Sequence, residues 1–540
     1  MHKWWHNTVF YEVYLPSFYD GNGDGIGDFI GLTEKLDYLK KLGIGGIWLT
    51  PFYPSPKVDN GYDISDYYSI DPVYGTMEDF ERFLEKAHDL GIKVIADLVL
   101  NHTSTEHPWF QESRSSKDNP KRDWYIWRAP KNGKEPNNWE SFMGGSAWKF
   151  DPQTGEYYYH AFSEQQADLN WANPEVKQAM FDVIRFWLEK GIDGFRLDVI
   201  NHLKVQKNMP DNPVNEKTGE QIHFYDKDQE GIMPVIEEIA ALIHEYPDKF
   251  IVGEVGSEDL QVLKRYCGTG KLDVVFQFNL GSIPNLDVNE IFQQMKDMEE
   301  QYGPDQIPTI FFSSHDMPRH VSRFAVSGHE KEFAKLFAML ILTAKGVPFL
   351  YYGEEIGMED LIIEDIRDMK DVQGMIAYQL AKQKGCDEEE ALAIANREGR
   401  DKSRSPMQWK NTTYYGFSSK QPWIALPPMK KGCTVQEQLT DPNSILSFYR
   451  KLIALRKEHP VFSKGDYSRL EKVDETMIFE RTFEDQHVLV CLNFGAEEKE
   501  LTLHDRWLKE DSFVLSSKRE KVERTKDLKI LPFEGIIFRR

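Results

Sequence analysis

The chain has 540 residues, which is enough for roughly two or three domains and a large hydrophobic core. Hydrophobic residues make up 40% and charged residues 28%, the proportions of a globular protein. The 88 Asp and Glu residues outnumber the 65 Lys and Arg residues, so the net charge is −23. Because nucleic acid and anionic membranes bind clustered positive charge, this balance argues against both as partners.

The sequence also lacks the patterns of export and membrane insertion. Its first residues contain no apolar stretch of signal-peptide length, and the longest apolar runs, 337–343 and 347–352, are far shorter than a membrane span. The four cysteines lie far apart, with neither metal-ligand spacing nor a dense disulfide pattern. We therefore expect a cytoplasmic protein that is a monomer or a weak homodimer.

Eight short runs rich in β-branched and aromatic residues predict eight strands. Amphipathic stretches with a helical period separate most of them, which is typical of βα units and a parallel sheet. The predicted strands are 9–15, 46–50, 93–98, 194–197, 250–255, 272–278, 308–313 and 349–352, and the predicted helices are 32–42, 77–90, 175–190, 234–245, 288–301, 331–344 and 444–457. The fold class predicted is α/β, a (β/α)₈ TIM barrel enlarged by insertions.

Two insertions and a change of pattern divide the chain. The catalytic barrel is predicted over residues 1–102 and 174–464, with a helical insertion at about 355–400. An inserted domain, residues 103–173, follows the third strand and is rich in Trp, Tyr, Asn and Gly. From residue 465 to 540, apolar and polar residues alternate, which predicts a C-terminal antiparallel β-sandwich domain.

Three carboxylates follow predicted strands at one end of this barrel. Asp198 ends the fourth strand, Glu254 ends the fifth, and Asp316 follows the seventh. Catalytic groups of TIM barrels project from the C-terminal ends of the strands. One such carboxylate could equally cap the next helix, but three at equivalent positions favour a catalytic site.

These segments resemble the α-amylase family, glycoside hydrolase family 13, over nearly the whole chain. The family's signature regions match residues 97–102, 166–170, 194–201, 252–254 and 313–319. The resemblance implies that Asp198 is the nucleophile, Glu254 the general acid/base and Asp316 the stabiliser of the transition state. Retaining glycosidases need one ionised and one protonated carboxyl group. Arg196, two residues before Asp198 on the same strand, would keep that nucleophile ionised, and crowded acidic groups would keep Glu254 protonated.

Other positions match residues with which the family binds glucose. His102 and His315 resemble two histidines that hydrogen bond to hydroxyls of the sugar. Tyr62 and Asp63 resemble a ring-stacking tyrosine and a carboxylate that grips the terminal glucose, and Arg404 resembles the arginine that pairs with this carboxylate. Such a pair would close the far end of the pocket and restrict attack to non-reducing ends.

Three residues of the inserted domain match pocket-lining positions of the family. These are Phe142, Phe162 and Gln166. The two aromatic rings could equally belong to the core of the inserted domain itself.

The loop at residues 20–28 alternates oxygen-bearing side chains with glycines, as loops that bind hard cations do. Position twelve of the loop is Gly31 rather than Glu, so the loop is not an EF-hand. The resemblance implies one structural Ca²⁺, held by Asp20, Asn22, Asp24, Asp28 and the carbonyl group of Ile26. A solvated turn without metal is the alternative, and no organic cofactor is expected.

Within the family, the first residues, the 20–28 loop and residues 404–409 resemble the oligo-1,6-glucosidase group. Val199, directly after the predicted nucleophile, is the residue that α-1,6-acting members carry. The resemblance therefore implies an exo-acting retaining α-glucosidase that releases glucose from short α-gluco-oligosaccharides, preferably from α-1,6 linkages. Residues 313–317 and the short stretch 280–306 depart from that group on the leaving-group side, so the linkage preference stays open.

Several alternatives share these residues. A maltose-type α-1,4-glucosidase, a trehalose-6-phosphate hydrolase, or a transglucosylase or isomerase such as a trehalose synthase or sucrose isomerase would keep every residue named above. Non-enzymatic proteins of this fold, the heavy subunits of amino-acid transporters, have a membrane span and have lost the catalytic carboxylates. This chain has all three carboxylates, which favours an enzyme.

Overall fold

The computed structural model describes residues 3–509, 512–523 and 525–540. Its centre is a sheet of eight strands, in chain order β1 (Phe10–Val13), β2 (Gly46–Leu49), β3 (Lys93–Val99), β4 (Gly194–Asp198), β5 (Phe250–Gly253), β6 (Val274–Val275), β7 (Thr309–Ile310) and β8 (Val347–Tyr351). Their order in space is β6-β5-β4-β3-β2-β1-β8-β7, and every adjacent pair is parallel. The predicted barrel is confirmed, strand by strand.

A side chain joins the two ends of this sheet. Thr309 Oγ1 on β7 donates to the carbonyl oxygen of Val275 on β6 at 3.1 Å and accepts the N–H of Gln277 at 3.0 Å. Thr309 is fully buried. The short strands β6 and β7 lie at opposite ends of the sheet order and are not paired through their backbones, so these two hydrogen bonds of the Thr309 side chain link them instead. The sheet is thereby nearly closed into a barrel.

Helices follow the strands around the barrel. They are α1 (Phe29–Leu42), α2 (Met77–Asp89), α3 (Pro174–Glu189), α4 (Ile232–His244), the single turn α5 (Leu260–Leu263), α6 (Val288–Gln301), α7 (Glu330–Thr343) and α8 (Ile445–Glu458). Local chemistry sets their ends: α1 begins where Asp28 accepts the N–H of Gly31, and it ends at Gly43, whose φ of +102° suits glycine. Helix α2 begins with a capping box of Thr76 and Asp79.

The segment between β3 and α3 forms a small domain of its own. It contains the helix Pro108–Ser115 and an antiparallel sheet of Trp127–Arg128, Trp148–Asp151 and Glu156–Tyr159. Two further strands, His102–Ser104 and Gln166–Asp168, pair with each other where the chain leaves and re-enters the barrel. A core around Trp139 and Trp148 supports this domain, and Phe142 and Phe162 pack at the edge of that core.

The segment after β8 contains two packed helices, Val372–Gln383 and Glu388–Glu398. Each begins at an aspartate that caps it, Asp371 for the first and Asp387 for the second. We refer to residues 371–398 as the helical hairpin. Shorter helices are Phe278–Gly281, His320–Phe324, Val435–Leu439 and Val461–Lys464.

The C-terminal part of the chain is an antiparallel β domain. A five-stranded sheet contains Asp466–Val473, Thr476–Phe483, Gln486–Asn493, Gly535–Arg539 and Phe513–Ser516, and a two-stranded sheet pairs Lys499–Thr502 with Asp527–Ile530. Both sheets contribute to one apolar core, for example Ile478 and Leu489 from the first and Leu528 from the second. The buried Arg481 ties this domain to the barrel, because its guanidinium donates to the carbonyl oxygens of Thr343 and Ala344 at the end of α7. Among the described residues, no helix is both long and apolar enough to cross a membrane.

Candidate active site

A pocket of about 210 Å³ opens at the C-terminal ends of the barrel strands. Loops after β2–β5, β7 and β8 and the inserted domain all contribute to its wall. The lining residues are Asp59, Tyr62, His102, Phe142, Met143, Phe162, Gln166, Asp198, Val199, Glu254, Asp316, Gln373 and Arg400. The three predicted catalytic carboxylates therefore meet in one pocket.

Arg196 joins two of these carboxylates from below. Its Nη2 donates to Glu254 Oε2 at 2.5 Å, and its Nη1 donates to Asp198. The same Nη1 donates to Asp97 on β3 at 2.9 Å. Arg196 is 2% exposed and is not among the residues that line this pocket, so it influences the site through the carboxylates it binds.

The two carboxyl groups compete for one proton. Burial raises the pKa of Glu254 to about 8, although the charge of Arg196 opposes this rise. Burial also raises the pKa of Asp198, to about 7, and the charge of Arg196 and the hydrogen bonds to Arg196 and Glu254 oppose this rise. The pKa of Glu254 is raised further than that of Asp198, which favours Glu254 as the carrier of the shared proton and Asp198 as its ionised partner.

Asp316 lies across the pocket and is ionised. Burial works against its charge, but His315, Arg400 and Arg404 hold the pKa of Asp316 well below its ordinary value. Arg404 Nη2 donates to Asp316 Oδ1 at 3.0 Å, and Arg400 Nη1 lies 3.4 Å from the same oxygen. The side chain of Asp316 is one-third exposed, so its other face is open to the pocket.

Tyr62 forms the floor of the pocket by stacking on His315. The two rings are parallel within 2°, with centroids 5.3 Å apart, and Tyr62 Oη donates to Asp97 Oδ2 at 2.9 Å. His315 Nδ1 lies 2.6 Å from Glu12 Oε1, His315 Nε2 lies 2.6 Å from Tyr62 Oη, and burial lowers the pKa of His315 to about 3. This imidazole is therefore neutral and buried behind Tyr62 and Asp316, rather than in the pocket wall.

The opposite wall comes from β3 and the inserted domain. Burial lowers the pKa of His102 to about 4, so its ring is neutral near pH 7. His102 Nε2 lies 3.1 Å from Gln166 Nε2, and its ring packs against Phe162, whose ring in turn contacts Phe142 at 5.8 Å between centroids. The two phenylalanines line the pocket as the sequence predicted, in addition to supporting the inserted domain.

The predicted pair that closes the pocket is wrong in both members. Asp63 is fully buried, where its carboxylate accepts from Ser55 Oγ at 2.8 Å and from the N–H of Val58 at 2.8 Å. Arg404 is also fully buried, beneath Asp316. The pair that does line the pocket is Asp59 with Arg400, whose Nη2 donates to Asp59 Oδ1.

The reason for this error is local backbone geometry. Asp59 and Asp63 flank a reversal in which Asn60 has a φ of +49° and Gly61 a φ of +111°. The reversal turns the first carboxylate towards the pocket and the second towards the N–H groups of the loop itself. The motif contains both aspartates, so the sequence shows that one is functional without showing which.

Other lining residues were also missed. Arg400 precedes Arg404 by four residues across a short 3₁₀ turn, Asp401–Ser403. The sequence therefore contains two neighbouring arginines, either of which could pair with the carboxylate at the closed end of the pocket. Gln373 lies in the first turn of the helical hairpin, and Met143 follows Phe142 in a loop. Neither of these two carries a sequence signal that would have identified it.

Val199 lines the pocket in a strained conformation. Its φ of +37° and ψ of +46° are left-handed, which is rare for a β-branched residue. The strain turns the backbone N–H of Val199 towards Glu254 Oε2, at 3.2 Å. The side chain is thereby held at the pocket wall directly beside the predicted nucleophile.

The loop at residues 20–28 lies outside this pocket. Asp20 Oδ2 accepts the N–H of Gly25 at 2.8 Å, Asp24 Oδ1 that of Ile26 at 2.9 Å, and Asp28 caps α1. Carboxylate and amide oxygens suit a hard cation. In this structure Asp20 also accepts from Ser418 Oγ and the N–H groups of Gly23 and Asp24, so its acceptor positions are occupied by groups of the protein. The described residues nevertheless contain no group of three or more His, Cys, Asp or Glu side chains arranged around a metal position.

A TIM barrel that presents a protonated and an ionised carboxyl group to one small pocket has the architecture of a glycoside hydrolase. Comparison with known proteins agrees: residues 12–465 match the model of the α-amylase catalytic domain. The chain therefore belongs to the α-amylase family of glycoside hydrolases, as its motifs predicted.

Similar proteins within the family differ in activity. An oligo-1,6-glucosidase of Parageobacillus thermoglucosidasius is 39% identical over 99% of both chains. A trehalose-6-phosphate hydrolase of Bacillus subtilis (strain 168) is also 39% identical, over 99% of this chain and 98% of that protein. The solved trehalulose synthase of Pseudomonas mesoacidophila MX-45 is 35% identical and superimposes with a TM-score of 0.92 over 100% of both chains.

The shared proton predicts how the rate depends on pH. Because the pKa of Glu254 is raised to about 8, its acid form is present at neutral pH and is lost as the pH rises through that value. Asp198 takes up a proton as the pH falls through about 7. We expect a bell-shaped profile of kcat/KM on an unactivated glycoside, with its maximum where the pair holds one proton.

Glu254→Gln tests the alkaline side of that profile. On an aryl glycoside whose leaving group needs no protonation, the variant should lose the alkaline limb of kcat/KM, while the acid limb set by Asp198 remains. An alkaline limb at the same pH in wild type and variant would assign it to another group.

Proposed function

We propose that this protein is an exo-acting retaining α-glucosidase that releases glucose from the non-reducing ends of short α-gluco-oligosaccharides, with a preference for α-1,6 linkages. The observation that carries the proposal is the bridge of one guanidinium, that of Arg196, between the carboxyl groups of Asp198 and Glu254. Carboxyl groups that share one guanidinium lie close together. This favours the spacing of about 5–5.5 Å found in retaining enzymes over the ~6.5–9.5 Å of inverting ones.

The reaction is a double displacement. Glu254 gives its proton to the glycosidic oxygen as Asp198 attacks the anomeric carbon, which breaks the glycosidic bond and forms a glucosyl ester. Glu254, now ionised, then takes a proton from water, and this water cleaves the ester and returns both groups to their first state. The ionised Asp316 stabilises the positive charge that develops on the sugar ring in both steps.

The closed end of the pocket supports exo attack. Asp59 accepts from Gln166 Nε2 at 2.9 Å and from Arg400, so an ion pair and its neighbours occupy the space into which a longer chain would extend. Both side chains line the pocket, where they present hydrogen-bonding groups to hydroxyls of the terminal glucose. A neutral sugar suits such a wall, because its hydroxyl groups can form hydrogen bonds with the polar side chains that become buried when the sugar binds.

The linkage preference rests on Val199 and on the relatives. The strained backbone and stiff χ1 of Val199 fix its side chain beside the nucleophile, where the leaving sugar lies. An α-1,6 linkage adds a rotatable methylene group that lets the second ring avoid this side chain. Several relatives are oligo-1,6-glucosidases, whereas others are a trehalose-6-phosphate hydrolase and a trehalulose synthase, which stay as the alternatives.

A panel of substrates tests the proposal. We expect glucose release from isomaltose and panose with a higher kcat/KM than from maltose, sucrose, trehalose or trehalose 6-phosphate, and proton NMR of the first product should show the α anomer. Asp198→Ala should lower kcat by several orders of magnitude. β-Glucose as the first product would mean inversion, and a preference for trehalose 6-phosphate or sucrose would favour one of the alternatives.

Val199→Ala tests the linkage preference separately. Removing two methyl groups beside the nucleophile should raise kcat/KM for maltose relative to isomaltose by roughly 10–200-fold, the range for such changes of pocket shape. Val321→Ala, at a buried valine that does not line the pocket, is the control for a general loss of packing. A wild-type enzyme that prefers maltose, with a ratio unchanged in Val199→Ala, would show that Val199 only fills the barrel wall.

We also propose a structural Ca²⁺ in the loop of Asp20, Asn22, Asp24, Ile26 and Asp28, supported by the oxygen chemistry of those residues, none of which lines the pocket. For a sample shown to contain calcium, EDTA should lower the melting temperature without abolishing turnover in the cold. Asp24→Ala should remove this sensitivity to EDTA. Identical melting curves with and without EDTA would refute the site.

Four unpaired cysteines support a reducing, cytoplasmic location.

A further inference from the structure

Asp371 is a buried carboxylate behind the pocket, at the start of the helical hairpin. It is fully buried and accepts three hydrogen bonds from one residue, Arg400. Asp371 Oδ1 accepts from Arg400 Nε at 2.9 Å and from Nη2 at 2.6 Å, and Oδ2 accepts the backbone N–H of Arg400 at 2.9 Å. These three hydrogen bonds to a buried charge hold both the backbone and the side chain of Arg400 in place.

These bonds determine what Arg400 can do in the pocket. The guanidinium is planar, so fixing its Nε edge fixes the direction of every other N–H. With that edge bound to Asp371, Nη2 keeps one N–H for Asp59, and Nη1 faces Asp316 at 3.4 Å. Asp371 therefore sets the geometry with which Arg400 meets the pocket, although Asp371 itself lines none of it.

The same aspartate organises the hairpin. Its Oδ2 caps the helix Val372–Gln383 by accepting the N–H of Gly374 at 3.2 Å. In the first turn of that helix, Gln373 lines the pocket. Further along, Leu380 and Ile376 face Gly144 of the inserted domain, 3.0 and 3.7 Å from where a Cβ of that glycine would lie. The hairpin thus joins the pocket wall to the inserted domain.

We infer that Asp371 is a positioning residue for the terminal glucose: it holds Arg400 so that Arg400 and Asp59 form the closed end of the pocket. The inference rests on the proposed function, which assigns this end to the terminal sugar. Its consequence is that the helical hairpin, an insertion outside the barrel, sets the affinity for the terminal glucose. Arg400 and Asp59 meet the glucose at the closed end of the pocket, away from the bond that breaks, so we expect the loss to appear mainly in KM.

Asp371→Asn separates this role from helix capping. Asparagine caps helices about as well as aspartate, so the helix should persist, but the charge that holds Arg400 is lost. Asp387→Asn is the matched control, because exposed Asp387 caps the second helix of the same hairpin and accepts the N–H of Glu390. We expect Asp371→Asn to raise KM for isomaltose and Ki for glucose by roughly 10–100-fold, with a smaller change in kcat, as for loss of a charged hydrogen bond. Asp387→Asn should change neither constant.

A double-mutant cycle with Arg400→Met shows whether Asp371 acts through the arginine. In the Arg400→Met background, Asp371→Asn should add less to KM than in wild type, because the bonds to the Arg400 guanidinium are already gone and a 3.6 Å contact between Arg404 Nη1 and Asp371 Oδ1 remains. An equal effect of Asp371→Asn in both backgrounds, or constants equal to those of Asp387→Asn, would overturn the inference. A wild-type protein that releases glucose from none of the α-glucosides would instead overturn the proposed function, so the two failures are distinct. Melting temperatures of all variants identify any that fail to fold.

Discussion

Three buried carboxyl groups, those of Asp97, Asp198 and Glu254, share the single positive charge of Arg196. Burial raises the pKa values of all three and the charge of Arg196 opposes this rise; without that charge the values would rise further and an ionised nucleophile could not persist beside two acidic neighbours. Removing one partner of such a buried network typically costs about 3–5 kcal/mol. Since β3, β4 and β5 supply the four residues, the barrel must place three adjacent strands in register before the site exists.

The repeated strands and helices of the barrel were predictable from the sequence. Strands buried on both faces are continuous apolar runs, and helices such as α6 at Val288–Gln301 begin at a capping aspartate, so their positions follow from local chemistry. The closure between β6 and β7 was not predictable in the same way. It depends on a threonine hydroxyl that bonds across the seam, and no pattern distinguishes this threonine from any other strand residue.

The candidate site also contains some residues that the sequence could predict and others that it could not. Residues within short signature segments, such as Asp198 and Glu254, could be placed because their segments end strands. The choice between Asp59 and Asp63 depended on one left-handed turn, and the choice between Arg400 and Arg404 depended on which side of a 3₁₀ turn each emerges. Gln373 reaches the pocket through a tertiary contact of the hairpin, which one sequence does not encode in any local pattern.

The left-handed backbone at Val199 has a consequence for how this enzyme can diverge. A β-branched residue in that conformation costs of order 1–3 kcal/mol, so a smaller or more permissive residue at this position would release strain as it enlarges the pocket. Selection for a broader range of linkages would then meet no stability barrier at this position, whereas keeping a narrow range needs continued selection for a destabilising side chain. Under the role proposed for Val199, substrate preference can therefore drift at this position without a loss of stability.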